Sequence, residues 1–180
     1  AWNGRAKLAC AFIPRGATVL DLGCGAMALE QYLPHGCRYV PCDLSARDDR
    51  TIVCDFNAGE FPADVVCDVV TALGVLEYVF DPPAFLAKLR ALNRPVVMSY
   101  WIADGPGPAD RRSNGWVNDI TQSQLMQMLG AAGFGRISGQ EVNPGQLLMR
   151  AEPAGDALET ANTPKFTSIT GTPIMPSEAP

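Results

Sequence analysis

The run Val19-Leu20-Asp21-Leu22-Gly23-Cys24-Gly25-Ala26-Met27-Ala28-Leu29-Glu30 constrains this chain more than any other segment. A short apolar stretch leads into a carboxylate, then two glycines one residue apart, then residues of helical character. Physically this is a buried strand, a tight turn and a helix N-terminus, an arrangement able to hold a ligand. Gly23 permits the sharp turn, and Gly25 lets the backbone approach a ligand with no side chain between. Such a unit belongs in an open α/β sheet, where ligands bind beyond the carboxyl ends of the strands.

The rest of the chain continues the alternation. Residues 2–13 read as a short amphipathic helix closed by Pro14-Arg15-Gly16. Strands are expected at 18–22, 38–42, 51–54, 68–73 and 95–100, and a helix at 27–33. The run at 68–73 is almost continuously apolar, as a strand buried on both faces should be. Only residues 44–50 separate the second and third strands, too few for a crossover helix. Asp81 caps a helix that Pro82 can begin, with Phe85, Leu86, Leu89 and Leu92 on one face. Residues 102–118 form a loop rich in Gly, Pro, Asp and Arg, and Thr121-x-x-Gln124 is a capping box opening the next helix, with Gly133 as its stop.

The end of the alternation is distinctive. Residues 136–142 and 146–151 are strand-like and joined by Asn143-Pro144-Gly145, which makes a hairpin and hence an antiparallel pair. The expected architecture is a Rossmann-like α/β domain over residues 1–152. Its sheet is mostly parallel and seven-stranded, with helices on both faces, a C-terminal antiparallel hairpin and one shortened crossover. Residues 153–180 have no apolar period and are rich in Pro, Thr, Ser and Gly, the composition of a flexible tail or linker.

Two readings fit the glycine turn. Gly23-x-Gly25-x-x-Ala28 satisfies a dinucleotide fingerprint, the basis of an NAD-dependent oxidoreductase reading. Asp21-x-Gly23-x-Gly25 resembles instead the first motif of class I S-adenosylmethionine (SAM) methyltransferases. A pyrophosphate gains nothing from a carboxylate at that point, and a dinucleotide fold does not end in a hairpin, so the second reading is preferred. Met27 departs from the family, which has a third glycine there. The resemblance covers roughly residues 5–151, and its nearest subgroup is the MetW-like small methyltransferases.

That resemblance implies SAM as cofactor and gives roles to named residues. Asp21, Gly23 and Gly25 would face the methionine part of SAM. Asp43, with Leu44 beside it, would hold both ribose hydroxyls, since a carboxylate can accept from two vicinal donors. Asp55 and Phe56, in Cys54-Asp55-Phe56-Asn57, would lie beside the adenine. Leu73-Gly74-Val75-Leu76-Glu77-Tyr78-Val79-Phe80-Asp81-Pro82 resembles the segment that lines the transfer site, with Tyr78 where the family has His. Tyr78 keeps an aromatic face for a sulfonium but removes a base of near-neutral pKa. Trp116 and Asp119, in the loop after the fifth strand, complete the candidate catalytic set with Tyr78. Glu77 is a further carboxyl there, and Trp101 a further aromatic of the acceptor site.

The implied reaction is direct displacement at the methyl group, driven mainly by positioning, onto a small-molecule or glycan-like acceptor. The alternative in a different class is a catalytically degenerate SAM-binding domain with a regulatory or scaffold role in a larger protein. A net charge of −5 argues against nucleic acid or an anionic membrane surface as partner. The six cysteines form no C-x-x-C pair and the single histidine joins no ligand cluster, so no metal site is expected. Reduced thiols and the absence of a signal-like opening read as cytoplasmic. No motif specifies the acceptor or an oligomeric state.

Overall fold

A computed structural model of the chain describes residues 2–155 and 166–168. Among them are α1 (Trp2–Ala9), β1 (Thr18–Leu22), β2 (Arg38–Asp43), β3 (Ile52–Val53), β4 (Val69–Leu73), α2 (Pro82–Ala91), β5 (Val96–Trp101), α3 (Gln122–Ala131), β6 (Phe134–Asn143), β7 (Gln146–Pro153) and β8 (Phe166–Ser168). The strands make one sheet in the order β3-β2-β1-β4-β5-β7-β6-β8. Strands β1 to β5 run parallel, and β7 inserts antiparallel between β5 and β6. The reversal at β1/β4 puts the start of the chain's alternation at mid-sheet, where the strand order leaves a crevice at the carboxyl ends.

Alternation along the central strands divides the core in two. Leu20, Val70 and Met98 face the layer containing Leu86 and Leu89 of α2 and Leu125 and Leu129 of α3. Val19, Val69 and Val97 face the opposite layer, with Ala6 and Ala9 of α1 and Ile13. Val69–Leu73 is buried at every position, as its apolar run requires. Helix α2 starts where Asp81 accepts from the Ala84 amide, and α3 starts with the full Thr121/Gln124 capping box.

Three expectations change. The helix expected at 27–33 is absent; turns lead to a single 3-10 turn at Glu30–Tyr32. Met27 has φ +54, a left-handed conformation that interrupts helical dihedrals, and Pro34 closes the segment. Helix α1 ends at Ala9 and finishes as a 3-10 turn at Cys10–Phe12. The sheet has eight strands, because Phe166–Ser168, in the segment read as a tail, pairs parallel with β6. Residues 156–165 and 169–180 lie outside the described residues. All six cysteines are free, and among the described residues no helix is long and apolar enough to cross a membrane.

Candidate functional site

At the β1/β2 end the site is built from backbone. Gly23, Gly25 and Met27 all have positive φ, at +66, +53 and +54. A Cβ on Gly23 would meet Val75 Cγ2 at 2.5 Å, whereas one on Gly25 would meet nothing nearer than 4.0 Å. Gly23 is therefore required by packing, and Gly25 leaves an open face. Met27 holds its left-handed conformation at a strain of about 1–2 kcal/mol.

Asp43, at the end of β2, closes this turn. Its Oδ2 accepts from the Gly25 amide at 2.8 Å, and its Oδ1 from the Ser45 amide at 3.3 Å and Arg47 Nη2 at 2.9 Å. These contacts occupy three of its roughly four acceptor positions. The Arg47 side chain is 42% exposed and can withdraw into solvent. Leu44 beside it is exposed. Asp55 caps its own turn by accepting from the Asn57 amide at 2.9 Å. The Phe56 ring packs at a tilt against Phe85 at 5.3 Å and Phe61 at 6.1 Å, which leaves the backbone of that turn as the outward surface.

Asp21 is turned away from the open face. It is buried and accepts from Thr71 Oγ1 at 2.6 Å and Tyr39 Oη at 2.7 Å. Burial pushes its carboxyl up to about 6, against the opposing pull of these two bonds and of Arg5. Its observed contacts brace β1 against β2 and β4 rather than reaching outward.

The second half of the site is a cavity of about 200 Å³ beyond the ends of β4, β5 and β7. Gly74, Glu77 and Tyr78 line it from the segment after β4, Trp101 from β5, and Trp116 from the loop that follows. Trp101 and Trp116 stack at 6.1 Å and 29°. Tyr78 is partly exposed at its mouth. Asn118 Nδ2 donates to Leu76 O at 2.7 Å and Val79 O at 2.9 Å, which pins the long loop to the segment carrying Tyr78. Arg111 lies over the Trp116 ring, 4.7 Å from its centroid, and pairs with Asp119 at 2.9 Å. Asp119 also pairs with Arg112 at 2.6 Å. The structure thus puts Tyr78 and Trp116 on the cavity and Asp119 outside its lining, as the anchor of the arginines that brace Trp116.

Some lining residues were not singled out by motif. Arg5, from α1, donates through Nη2 to Leu73 O at 3.0 Å and lies over Gly74, where a Cβ would come 2.7 Å from Nη1. The Gln146 amide, oriented by its neighbours, accepts from Trp101 Nε1 at 3.0 Å and Arg5 Nη1 at 3.1 Å. A signal for Arg5 existed: positions 5, 9 and 13 share one helical face, and Ala9 and Ile13 are its buried members. An arginine on that stripe implies a buried partner. For Gln146 the sequence carries no comparable signal.

Glu77 is 1% exposed. Its Oε1 accepts from the Trp101 amide at 3.1 Å and its backbone carbonyl accepts from Val117 N at 2.8 Å. Burial pushes its carboxyl up to about 7, opposed by hydrogen bonds and by Arg5 and Arg111.

A family model described as a methyltransferase domain matches residues 4–138. Ubiquinone biosynthesis O-methyltransferases of two Rhodopseudomonas palustris strains are 31% identical over 93 residues, covering 44% of this chain and 37% of theirs. The chain thus spans little more than a third of the length of these curated relatives. Among solved structures, a methyltransferase in complex with the Trm112 activator from Haloferax volcanii has TM-score 0.64 at 16% identity, covering 84% of this chain and 90% of that one. Human N-acetylserotonin methyltransferase in complex with SAM has TM-score 0.63 at 17% identity, covering 85% and 52%.

Proposed function

The chain belongs to the SAM-dependent methyltransferase family, and we propose that it transfers the methyl group of SAM to a small-molecule or glycan-like acceptor in the cavity between residues 74–78 and 101–119. The observation that carries this reading is the packing of Gly23 on Val75. The turn assigned to the cofactor and the segment that opens the aromatic cavity share one wall, which suits transfer between adjacent ligands.

The residues fit SAM. Gly25 presents a face that a Cβ would fill, and Asp43 stands at a carboxyl strand end with capacity for a diol once Arg47 withdraws. Leu44, Asp55 and the Phe56 backbone would flank the adenine, and Leu73 and Gly74 the methionine end. When bound, SAM supplies an electrophilic methyl group on a sulfonium. Tyr78 and Trp116 hold an acceptor and exclude water, and Asp119 keeps Arg111 against Trp116. Catalysis is then mainly orientation. The relatives' names as O-methyltransferases support an oxygen acceptor. The free state of all six cysteines supports a reducing, cytoplasmic setting.

A binding domain without turnover is the second reading, favoured by Tyr78, which stands on the cavity where the resembled family has a histidine. Calorimetry with SAM and S-adenosylhomocysteine, followed by an acceptor screen with labelled SAM, separates the two. Binding with label transfer supports the enzyme. Binding without transfer to any acceptor supports the domain, and absence of binding removes both.

A further inference from the structure

We propose that residues 76–80 couple the two halves of the site, and that Asn57 and Asn118 are the positioning residues through which an occupied cofactor turn steadies the wall of the acceptor cavity. This rests on the methyl-transfer reading above and goes beyond it by naming the residues that tie one ligand to the other.

The segment after β4 is gripped from both sides. Asn57 follows Asp55 and Phe56, the residues assigned to the adenine. Its Nδ2 donates to Tyr78 O at 3.0 Å and its Oδ1 accepts from the Phe80 amide at 2.9 Å, across 21 and 23 positions of chain. From the opposite side, Asn118 Nδ2 donates to Leu76 O at 2.7 Å and Val79 O at 2.9 Å, and the Val117 amide donates to Glu77 O at 2.8 Å. Four consecutive carbonyls, 76 to 79, thus each accept from another element. The 3-10 turn Leu76–Tyr78 bonds outward at every residue, and it carries Tyr78 onto the cavity.

The two grips differ in strength. Asn118 belongs to a closed network. Its Oδ1 accepts from the hydroxyl of fully buried Tyr100 at 2.7 Å, and that hydroxyl accepts from the Ile120 amide and Arg111 Nη2, both at 3.0 Å. Asn57 is exposed, in the 3-10 turn Phe56–Ala58 that ends at left-handed Gly59. That turn is held besides by the Phe56 ring, by Glu60 Oε2 on the Asp55 amide at 2.7 Å, and by Lys88 Nζ on Gly59 O at 2.6 Å. Exposed hydrogen bonds exchange with water at little net gain, so the Asn57 grip is the one that a ligand can tighten.

The coupling follows from ordering. An adenine against Asp55 and Phe56 restricts the turn that carries Asn57, and Asn57 then restricts Tyr78 and Phe80. Asn118 and Val117 extend that restriction to the loop bearing Trp116. An acceptor entering the cavity meets a wall already ordered, so it binds more tightly with no change of shape. By linkage, the acceptor tightens the cofactor by the same factor. The other contact between the halves, Gly23 against buried Val75, is close packing with no exposed bond to open and close.

The test uses the full chain, calorimetry with S-adenosylhomocysteine, and hydrogen exchange read by NMR at saturating ligand. The reporters are the amides of Asn57 and Ala58 in the turn, Tyr78 and Val79 in the coupling segment, and Val117 in the loop, all hydrogen-bonded. In wild type, saturation should slow exchange about tenfold or more at all five. Asn57→Ala changes an exposed side chain, should fold, and should bind S-adenosylhomocysteine within about tenfold of wild type. At saturation it should keep the slowing at 57 and 58 and lose it at 78, 79 and 117. Asn118→Asp keeps an acceptor for Tyr100 but has no donor for Leu76 O and Val79 O. It should keep the slowing through 79 and lose it at 117.

If S-adenosylhomocysteine does not bind wild type, the methyl-transfer reading fails and the coupling with it. If it binds but slows exchange only at 57 and 58, the coupling is overturned while the reading stands. If Asn57→Ala exchanges faster with and without ligand but keeps the slowing at 78, 79 and 117, Asn57 is only structural and the path runs through Val75. Slowing at 117 that survives in Asn118→Asp removes Asn118 from the path. Should Asn118→Asp not fold, Asn57→Ala decides the coupling by itself.

Discussion

The two halves of the site are made in different ways. The turn beyond β1 and β2 is specified by backbone conformation: three successive positive-φ positions at 23, 25 and 27, closed by one carboxylate 18 residues on. The cavity beyond β4, β5 and β7 is specified by side chains gathered from α1, the post-β4 segment, the long loop and the hairpin. The first is a local object that tolerates little change at a few positions. The second is a distributed object, in which no single residue holds the shape.

That contrast can be broken or sharpened by experiment. The largest effect is expected at the turn. Asp43→Ala removes the acceptor proposed for two ribose hydroxyls and releases the Gly25 amide, so SAM affinity should fall about 30- to 1000-fold, or about 2–4 kcal/mol, by calorimetry. Asp43→Asn should be milder. If Asp43→Ala binds normally while Asp55→Ala does not, the ribose belongs to the end of β3.

Gly23→Ala should lower unfolding free energy by about 2–4 kcal/mol in a denaturant titration, from left-handed strain and the clash with Val75. Gly25→Ala, with open space around it, should lose only the strain, about 1–2 kcal/mol. Equal losses would mean that Gly25 is also a packing glycine.

A pH effect belongs to Asp21. Its folded carboxyl, raised to about 6 from 3.8, binds its proton more tightly than the unfolded chain does. Its contribution to stability is therefore full below about pH 4 and is lost as the pH rises through about 6. Asp21→Asn keeps a neutral acceptor, so its stability relative to wild type should rise by about 2–3 kcal/mol across that window. A flat difference would show that Thr71 and Tyr39 compensate the buried charge in full.

In the cavity, Trp116→Ala should reduce methyl transfer about tenfold while SAM affinity stays within a few-fold, since Trp101 still supplies one ring face. Equal loss of both would place Trp116 in the cofactor pocket or the core. Arg47→Ala is the smallest change. It removes an exposed ion pair that competes for Asp43, so SAM should bind up to about threefold tighter. Weaker binding would mean that Arg47 contacts the ligand.

The same contrast explains what was legible. Asp21-x-Gly23-x-Gly25, the Asp81 cap, the Thr121/Gln124 box and the Asn143-Pro144-Gly145 turn are local signals, and the first strand and its turn, α2, α3 and the hairpin are present. The helix expected after Gly25 failed because apolar spacing does not report that Met27 adopts a left-handed backbone. Strand β8 was missed because three residues paired at a sheet edge leave no periodicity. In the site, Gly25 and Asp43 were read and do meet. Asp119 was read as a reacting group because an acidic side chain near a tryptophan looks the same whether it faces a cavity or a guanidinium. Arg5 and Gln146 meet only through the tertiary fold, beyond the range of any motif.

The position of Arg5 bears on how the protein is made. It reaches Leu73 O and lies within hydrogen-bonding distance of Gln146, and nearby Phe12 O accepts from Arg150 Nη1 across 138 positions. Synthesis delivers α1 before the hairpin, so the helix waits with its arginine undocked while the parallel strands emerge. The glycine turn can form on the ribosome as soon as β2 appears. The cavity cannot close until β7 has been made, so it is assembled later than the glycine turn.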